Sequence, residues 1–344
     1  MIWETQHDIR WLQIELTSLC QAGCIDCNRW RQQDGKWVSN GFHNHFNKWY
    51  DTKVFRSHIG QFTNLRGVSL CGNVGDPMAH PHIGDCVDAI WESNPNCDID
   101  ISTNGALGTI KQYELLAQHQ EGKKFSISFA IDGLEDTNHI YRRGVIWKDV
   151  MKRVETFIQA GGQAVWVWID FPHTRHQLEQ AKKLSKELGF QKFQVRQRFT
   201  QTDKFDNEIV EASKQPVLRN QFNIDEVMAR RDLEGKYIKQ VKQYVDKGYY
   251  IDPGCKVMPD QDFYHPCPHL NVDGTLWPCC YTANGNYHKN LSTRQWWIDI
   301  DKRYGENWNN LHNHTVDKIL QTDFFTNTLE KSWHKKKLIK KNLI

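Results

Sequence analysis

Along residues 1–200, short runs rich in branched and aromatic side chains alternate with longer stretches whose apolar positions recur at helical period. Residues 11–17, 66–71, 97–102, 125–131, 164–170 and 190–196 read as strands, and residues 45–62, 83–92, 110–119, 147–159 and 176–188 as helices between them. Strands that alternate with helices specify parallel βα units, because a parallel neighbour is reached only through a crossover. Six units are too few to close an eight-stranded barrel, so the pattern predicts an α/β fold, an open partial (β/α)6 TIM-like barrel. In such folds chemistry gathers where loops leave the C-terminal ends of strands.

After residue 200 the pattern changes. Residues 201–250 are polar and helical in character, and residues 251–290 are rich in Pro, Gly, Cys and Asn. The predicted division is a barrel over 1–200, a helical connector over 201–250 and a smaller domain over 251–344 that ends in a basic tail. Lys335, Lys336, Lys337, Lys340 and Lys341 in that tail read best as a solvated helix end, and second as a phosphate contact.

The 344 residues suffice for one large domain and a smaller one, and 39% hydrophobic with 25% charged residues is an ordinary globular balance. A net charge of +3 does not by itself mark a nucleic-acid binder. No run reaches the ~18 apolar residues of a membrane helix. The start, Met1 to Asp8, lacks the basic-then-apolar order of a signal peptide. The expected setting is therefore cytoplasmic, where thiols stay reduced and clustered cysteines serve as metal ligands or catalysts.

The ten cysteines are clustered. Cys20, Cys24 and Cys27 follow the first predicted strand directly. Three thiolates on one tight loop can hold three irons of a cubane cluster and leave the fourth open to a small molecule. A zinc site, the alternative, usually draws four ligands from two pairs.

This Cys-x3-Cys-x2-Cys spacing resembles the signature of the radical S-adenosylmethionine superfamily. Later loops extend the resemblance. Cys71-Gly72-Asn73-Val74-Gly75-Asp76-Pro77 is similar to the family's glycine-rich loop, with Asp76 at its acidic position. Thr103-Asn104-Gly105 and Ile131-Asp132-Gly133 follow further strands, and Tyr141-Arg142-Arg143-Gly144 matches a Tyr-Arg-x-Gly pattern. The chain departs from the family at Asp26, where an aromatic residue is usual, and at Ala130, where a small hydroxyl residue is usual; Ser128 is its nearest substitute.

The resemblance implies a 4Fe-4S cluster on Cys20, Cys24 and Cys27, reductive cleavage of S-adenosylmethionine to a 5′-deoxyadenosyl radical, and hydrogen abstraction from a substrate. It implies cosubstrate contacts from Gly72, Asn73, Gly75, Asp76, Pro77, Asn104, Ser128, Asp132 and Arg143, with Arg142 the second choice for the methionine carboxylate. It also implies a flavodoxin- or ferredoxin-type reductant.

Cys255, Cys267, Cys279 and Cys280 form a second group around Asp273-Gly274, a hairpin signal. Gly274-x4-Cys279 resembles the SPASM extension or its shortened twitch form, which implies one auxiliary iron–sulfur cluster. His265 or His269 could complete its ligands, and a structural zinc is the alternative. Cys71, Cys86 and Cys97 read as small buried hydrophobes, with hydrogen donation a lesser reading for Cys71. His43, His45, His80 and His82 read as surface or packing residues, and Trp166 and Trp168 as core. A peptide or small molecule is the first expectation for the substrate, a nucleotide or nucleic acid the second. A zinc-dependent binding module without radical chemistry, and an electron carrier with closed clusters, are the readings from other classes.

Overall fold

In a computed structural model of the chain, residues 3–25, 27, 29–33, 36–39, 49–73, 75–118, 122–197, 203–215, 217, 267–283, 300 and 302–329 are described. Asp26, His43, His45, Cys255, His265, most of the 201–250 connector and the lysine tail lie outside the described residues.

The strands are β1 Trp11–Ile14, β2 Trp30–Gln33, β3 Lys36–Ser39, β4 Gly67–Leu70, β5 Asp98–Thr103, β6 Phe125–Ala130, β7 Ala164–Ile169, β8 Lys192–Arg196, β9 His269–Leu270 and β10 Leu276–Trp277. The helices are α1 Thr52–Ile59, α2 Ile83–Ser93, α3 Ile110–Gln118, α4 Asn138–Tyr141, α5 Trp147–Gln159, α6 Leu178–Leu188, α7 Asp203–Ser213, α8 Cys280–Ala283 and α9 Val316–Leu320. None is long and apolar enough to cross a membrane among the described residues.

One sheet of eight strands runs β10-β9-β1-β4-β5-β6-β7-β8. The six strands expected from the pattern are parallel neighbours in sequence order, which makes the open α/β barrel. Two elements were not legible as part of it. The hairpin β9–β10 joins the same sheet, with β9 parallel to β1, and Gln13 and Glu15 donate their N–H groups to Pro268 O and Leu270 O at 2.9 Å. The hairpin β2–β3 forms a separate sheet of two strands directly after the first cysteine loop.

Burial explains the strands' two faces. Leu12, Ile14, Val68, Leu70, Ile99, Ile101, Ile127 and Phe129 are buried on the outer face. Helix α5 turns Val150, Met151, Val154 and Phe157 into this core, an apolar stripe at helical spacing, and Phe157 meets Phe125 and Phe129 of β6. On the inner face of β1, β4, β5 and the first half of β6 the alternate positions are polar: Gln13, Ser69, Asp100, Ser102, Ser126 and Ser128. Helix α1 starts later than the pattern suggested because Asp51 caps it, accepting from the N–H groups of Lys53 and Val54 at 3.0 Å.

The C-terminal part is anchored by aromatic packing. Trp277 meets Trp308 edge-on at 5.7 Å, and Trp308 lies 4.9 Å from Phe324. A second contact is an imidazole pair, His58 of α1 against His312, with ring centroids 4.7 Å apart.

Candidate active site

The strand ends build one cavity of about 290 Å3. Cys20, Cys24 and Cys27 line it together with Arg29, Gly72, Gly75, Asp76, Ser102, Thr103, Asn104, Ala130, Tyr141 and Arg142. All three thiols are free, and Cys24 is buried. Burial is the main cause that pushes Cys20 up to about 12 and Cys24 up to about 11. Buried thiols at such values become thiolates when a cation compensates them, which is how metal ligands behave.

The glycine-rich loop is held from below. Glu15, buried at the end of β1, accepts from the backbone N–H of Gly75 at 2.7 Å and of Asn73 at 3.1 Å. Gly75 must be glycine: a Cβ there would stand 1.9 Å from the backbone oxygen of Thr17. Asp76 is fully engaged inside the protein. Its carboxylate accepts from Thr103 Oγ1 at 2.8 Å, Asn104 N–H at 2.9 Å and Met78 N–H at 3.0 Å, so it latches the glycine loop to the end of β5. Burial raises its pKa above the usual carboxylate range. Pro77 opens the short turn that Asp76 caps. Gly105 completes the neighbouring turn at φ +73, a left-handed conformation suited to glycine.

Two donors reach the cysteine sulfurs. Asn104 Nδ2 donates to Cys20 Sγ at 3.5 Å, while its Oδ1 accepts from Gln21 Nε2 at 3.1 Å. Arg142 Nη1 approaches Cys24 Sγ at 3.9 Å, and its Nε donates to Asp132 Oδ2 at 2.6 Å. Asp132 is inaccessible to solvent and also accepts from the Ile169 N–H at 2.7 Å.

The sequence-derived site residues thus divide. Gly72, Gly75, Asp76 and Asn104 line the cavity with the thiols. Asn73 is half-buried, with its amide on Cys71 Sγ at 3.3 Å. Ser128 points inward but lower, donating to Asp100 at 2.9 Å. Arg143 directs its guanidinium to the carbonyls of Gly23 and Gln215, at 3.3 and 3.2 Å, while Arg142 takes the cavity wall. Glu15 and Arg29 were not singled out from sequence, and Tyr141 stood there only as the first residue of the Tyr-Arg-x-Gly pattern. Glu15 carried a signal, an acid inside an apolar strand run; Arg29 carried none.

In the second group, Cys267 precedes β9, Cys279 is buried after β10, and Cys280 opens α8. Burial, with the charges of Cys280 and Cys279, pushes Cys267 up to about 12. Cys71 belongs to the same neighbourhood: after burial, its thiol is raised by Glu15, Cys280 and Cys267. His269 is inaccessible, and among the described residues neither ring nitrogen makes a well-formed hydrogen bond, Asn271 being the polar side chain beside it. A thiol-rich set beside a buried imidazole fits a metal or cluster by donor chemistry.

Among the described residues no three His, Cys, Asp or Glu side chains converge on a point that would hold one ion. A cubane cluster spreads its thiolates over separate irons. Three thiols around a cavity are therefore the arrangement it needs, and the first cysteine group fits one.

No family model and no curated protein matches the sequence. Solved structures do match the fold. The protein anSMEcpe with bound AdoMet and Cp18Cys peptide superposes with a TM-score of 0.54 at 14% identity, over 94% of this chain and 83% of that one. Streptococcus suis SuiB bound to the precursor peptide SuiA gives 0.51 at 16% identity, over 90% and 70%. The chain shares the fold of these two proteins. SuiB bound to S-adenosylmethionine aligns over 80% of this chain at 16% identity and a TM-score of 0.49, and the chain spans 62% of its length. In this chain the loops after β1, β4 and β5 line the cavity.

Proposed function

We infer that the protein binds S-adenosylmethionine beside a 4Fe-4S cluster held by Cys20, Cys24 and Cys27, cleaves it reductively, and abstracts hydrogen from a peptide or small-molecule substrate. The observation that carries this reading is convergence. Three free thiols from one loop and the ends of several parallel strands enclose a single cavity. The chemistry supplied by the cluster when bound is one electron to the sulfonium, with breakage of the S–C5′ bond to give methionine and a 5′-deoxyadenosyl radical.

The chain's own residues do the rest. Asn104 and Arg142 direct donors at two of the ligand sulfurs, an arrangement that tunes a cluster's potential. Glu15 and Asp76 fix the glycine-rich loop, so its backbone is preorganised where the methionine end of the cosubstrate would lie. Arg142, pinned by Asp132, offers a positive charge at the same wall for a carboxylate. A flavodoxin- or ferredoxin-type protein supplies the electron.

A peptide substrate is favoured by the peptides bound in the fold's neighbours anSMEcpe and SuiB. An auxiliary cluster on the Cys267, Cys279 and Cys280 group is favoured by its buried thiols and the buried His269. A reducing, cytoplasmic setting would keep the unbridged thiols of Cys20, Cys24 and Cys27 available to a cluster.

The test is anaerobic reconstitution, metal analysis and electron paramagnetic resonance of the reduced protein. The expected result is an iron–sulfur signal that changes on adding S-adenosylmethionine and is lost in Cys24→Ala. Zinc in place of iron, with no response to S-adenosylmethionine, would leave a binding module instead.

A further inference from the structure

Barrels of parallel strands usually fill their interior with bulky branched side chains. Here polar residues take that face on β1, β4, β5 and the first half of β6, while Ala130, Val165, Val167 and Ile169 keep it apolar beyond them. The register places Gln13, Ser69, Asp100 and Ser126 side by side across β1, β4, β5 and β6, with Ser102 beside Ser128 on the next inner row. Asp100 is the centre of the group. Its Oδ1 accepts from Ser126 Oγ at 2.8 Å and Ser128 Oγ at 2.9 Å, and Ser102 Oγ approaches its Oδ2 at 3.5 Å.

These donors are neutral. Among the described residues no Lys, Arg or His side chain forms an ion pair with Asp100, although Asp98 and Asp132 each have one. A partly buried carboxylate without a counter-charge is a standing attraction for a cation. Ser102 also lines the cavity of the three thiols. Asp100 therefore stands one side-chain row below the cavity floor, a strand distance of about 6.6 Å.

The shape of the group selects among cations. Each serine that donates to Asp100 keeps lone pairs for accepting. A tetrahedral ammonium with three N–H bonds can use one carboxylate oxygen and two such hydroxyls. A planar guanidinium needs both carboxylate oxygens in a fork, but Oδ1 already accepts from two serines, and Oδ2 keeps room for the single N–H of an ammonium.

We propose that Asp100, with Ser102, Ser126 and Ser128, is the subsite for a substrate ammonium group, so that the substrate is a primary amine, either free or carried by a lysine of a peptide. This rests on the radical reading of the cavity above it. The ammonium is anchored in the barrel, and a short alkyl chain reaches up so that a C–H bond meets the cavity.

The test is isothermal titration of the iron-loaded protein with S-adenosylmethionine present. The probes are cadaverine and an N-acetylated peptide with a central lysine, each beside its form acetylated on every amine. A charged probe should bind about tenfold or more tightly than its acetylated form. Asp100→Asn should abolish that preference. Preference for cadaverine assigns a free amine; preference for the lysine peptide assigns a peptide-borne one.

Equal binding of charged and acetylated forms in both pairs, or a preference that survives in Asp100→Asn, overturns the proposal. The melting temperature shows whether the variant is folded, and the comparison on wild type needs no variant. Formation of 5′-deoxyadenosine by the wild-type protein without any amine tests the radical reading separately. Its absence would sink that reading while the titration still decides the subsite.

Discussion

Glu15 accepts two backbone N–H groups of the glycine-rich loop from a buried position. Hydrogen bonds to a charged acceptor contribute roughly 1.5–3 kcal/mol each, and a neutral amide keeps only one acceptor oxygen. Glu15→Gln should therefore loosen the loop, raising the half-saturating concentration of S-adenosylmethionine about tenfold or more while the maximal rate of its cleavage changes less. An unchanged half-saturation with a lower maximal rate would mean that Glu15 acts elsewhere. Residues of this kind were half legible. The cysteines, Gly72, Gly75 and Asn104 were readable because their chemistry or their turn demands them. The engagement of Asp76 with Thr103 and Asn104 was not, because it joins residues 27 and 28 positions apart. Likewise the choice between Arg142 and Arg143 depends on which side of a turn each leaves, and sequence carries no sign of that.

At the scale of elements, the glycine-rich loop and the first cysteine loop are packed backbone to backbone. Asp76 N–H donates to Leu19 O at 2.7 Å, and Gly75 lies against Thr17. A methyl group at Gly75 meets backbone oxygen, which cannot swing aside as a side chain can. Gly75→Ala should separate the two loops, cost roughly 2–4 kcal/mol in stability and lower iron retention after reconstitution. A variant with wild-type iron content and unfolding midpoint would refute that packing. The parallel strands and the helices between them were legible because burial imposes strict periods on each. The place of β9 was not: two residues leave too short a pattern, and it is set beside β1 by Gln13 and Glu15 donating to Pro268 and Leu270, residues more than 250 positions away in sequence.

The molecule as a whole holds its C-terminal part to the barrel partly through His58 and His312. Burial first, and then the His312 ring, lower His58 to about 4, with Tyr50 Oη at 2.6 Å from its Nδ1. In an unfolded chain the same group titrates near about 6.5. Between those values the unfolded chain takes up a proton that the folded one refuses, so stability falls as pH falls through about 6.5 to about 4. Melting temperatures across that window should drop, and His58→Gln should flatten the slope while keeping a partner for Tyr50. An unaltered slope would assign the acid sensitivity to other groups.

The central claim concerns what the cavity does. Its most direct test is to reconstitute the full chain anaerobically, add S-adenosylmethionine and dithionite, and measure 5′-deoxyadenosine. The account predicts its formation by the wild-type protein and its loss in Cys24→Ala. Iron-loaded wild type that forms none, or a Cys24→Ala variant that forms as much as wild type, would contradict it.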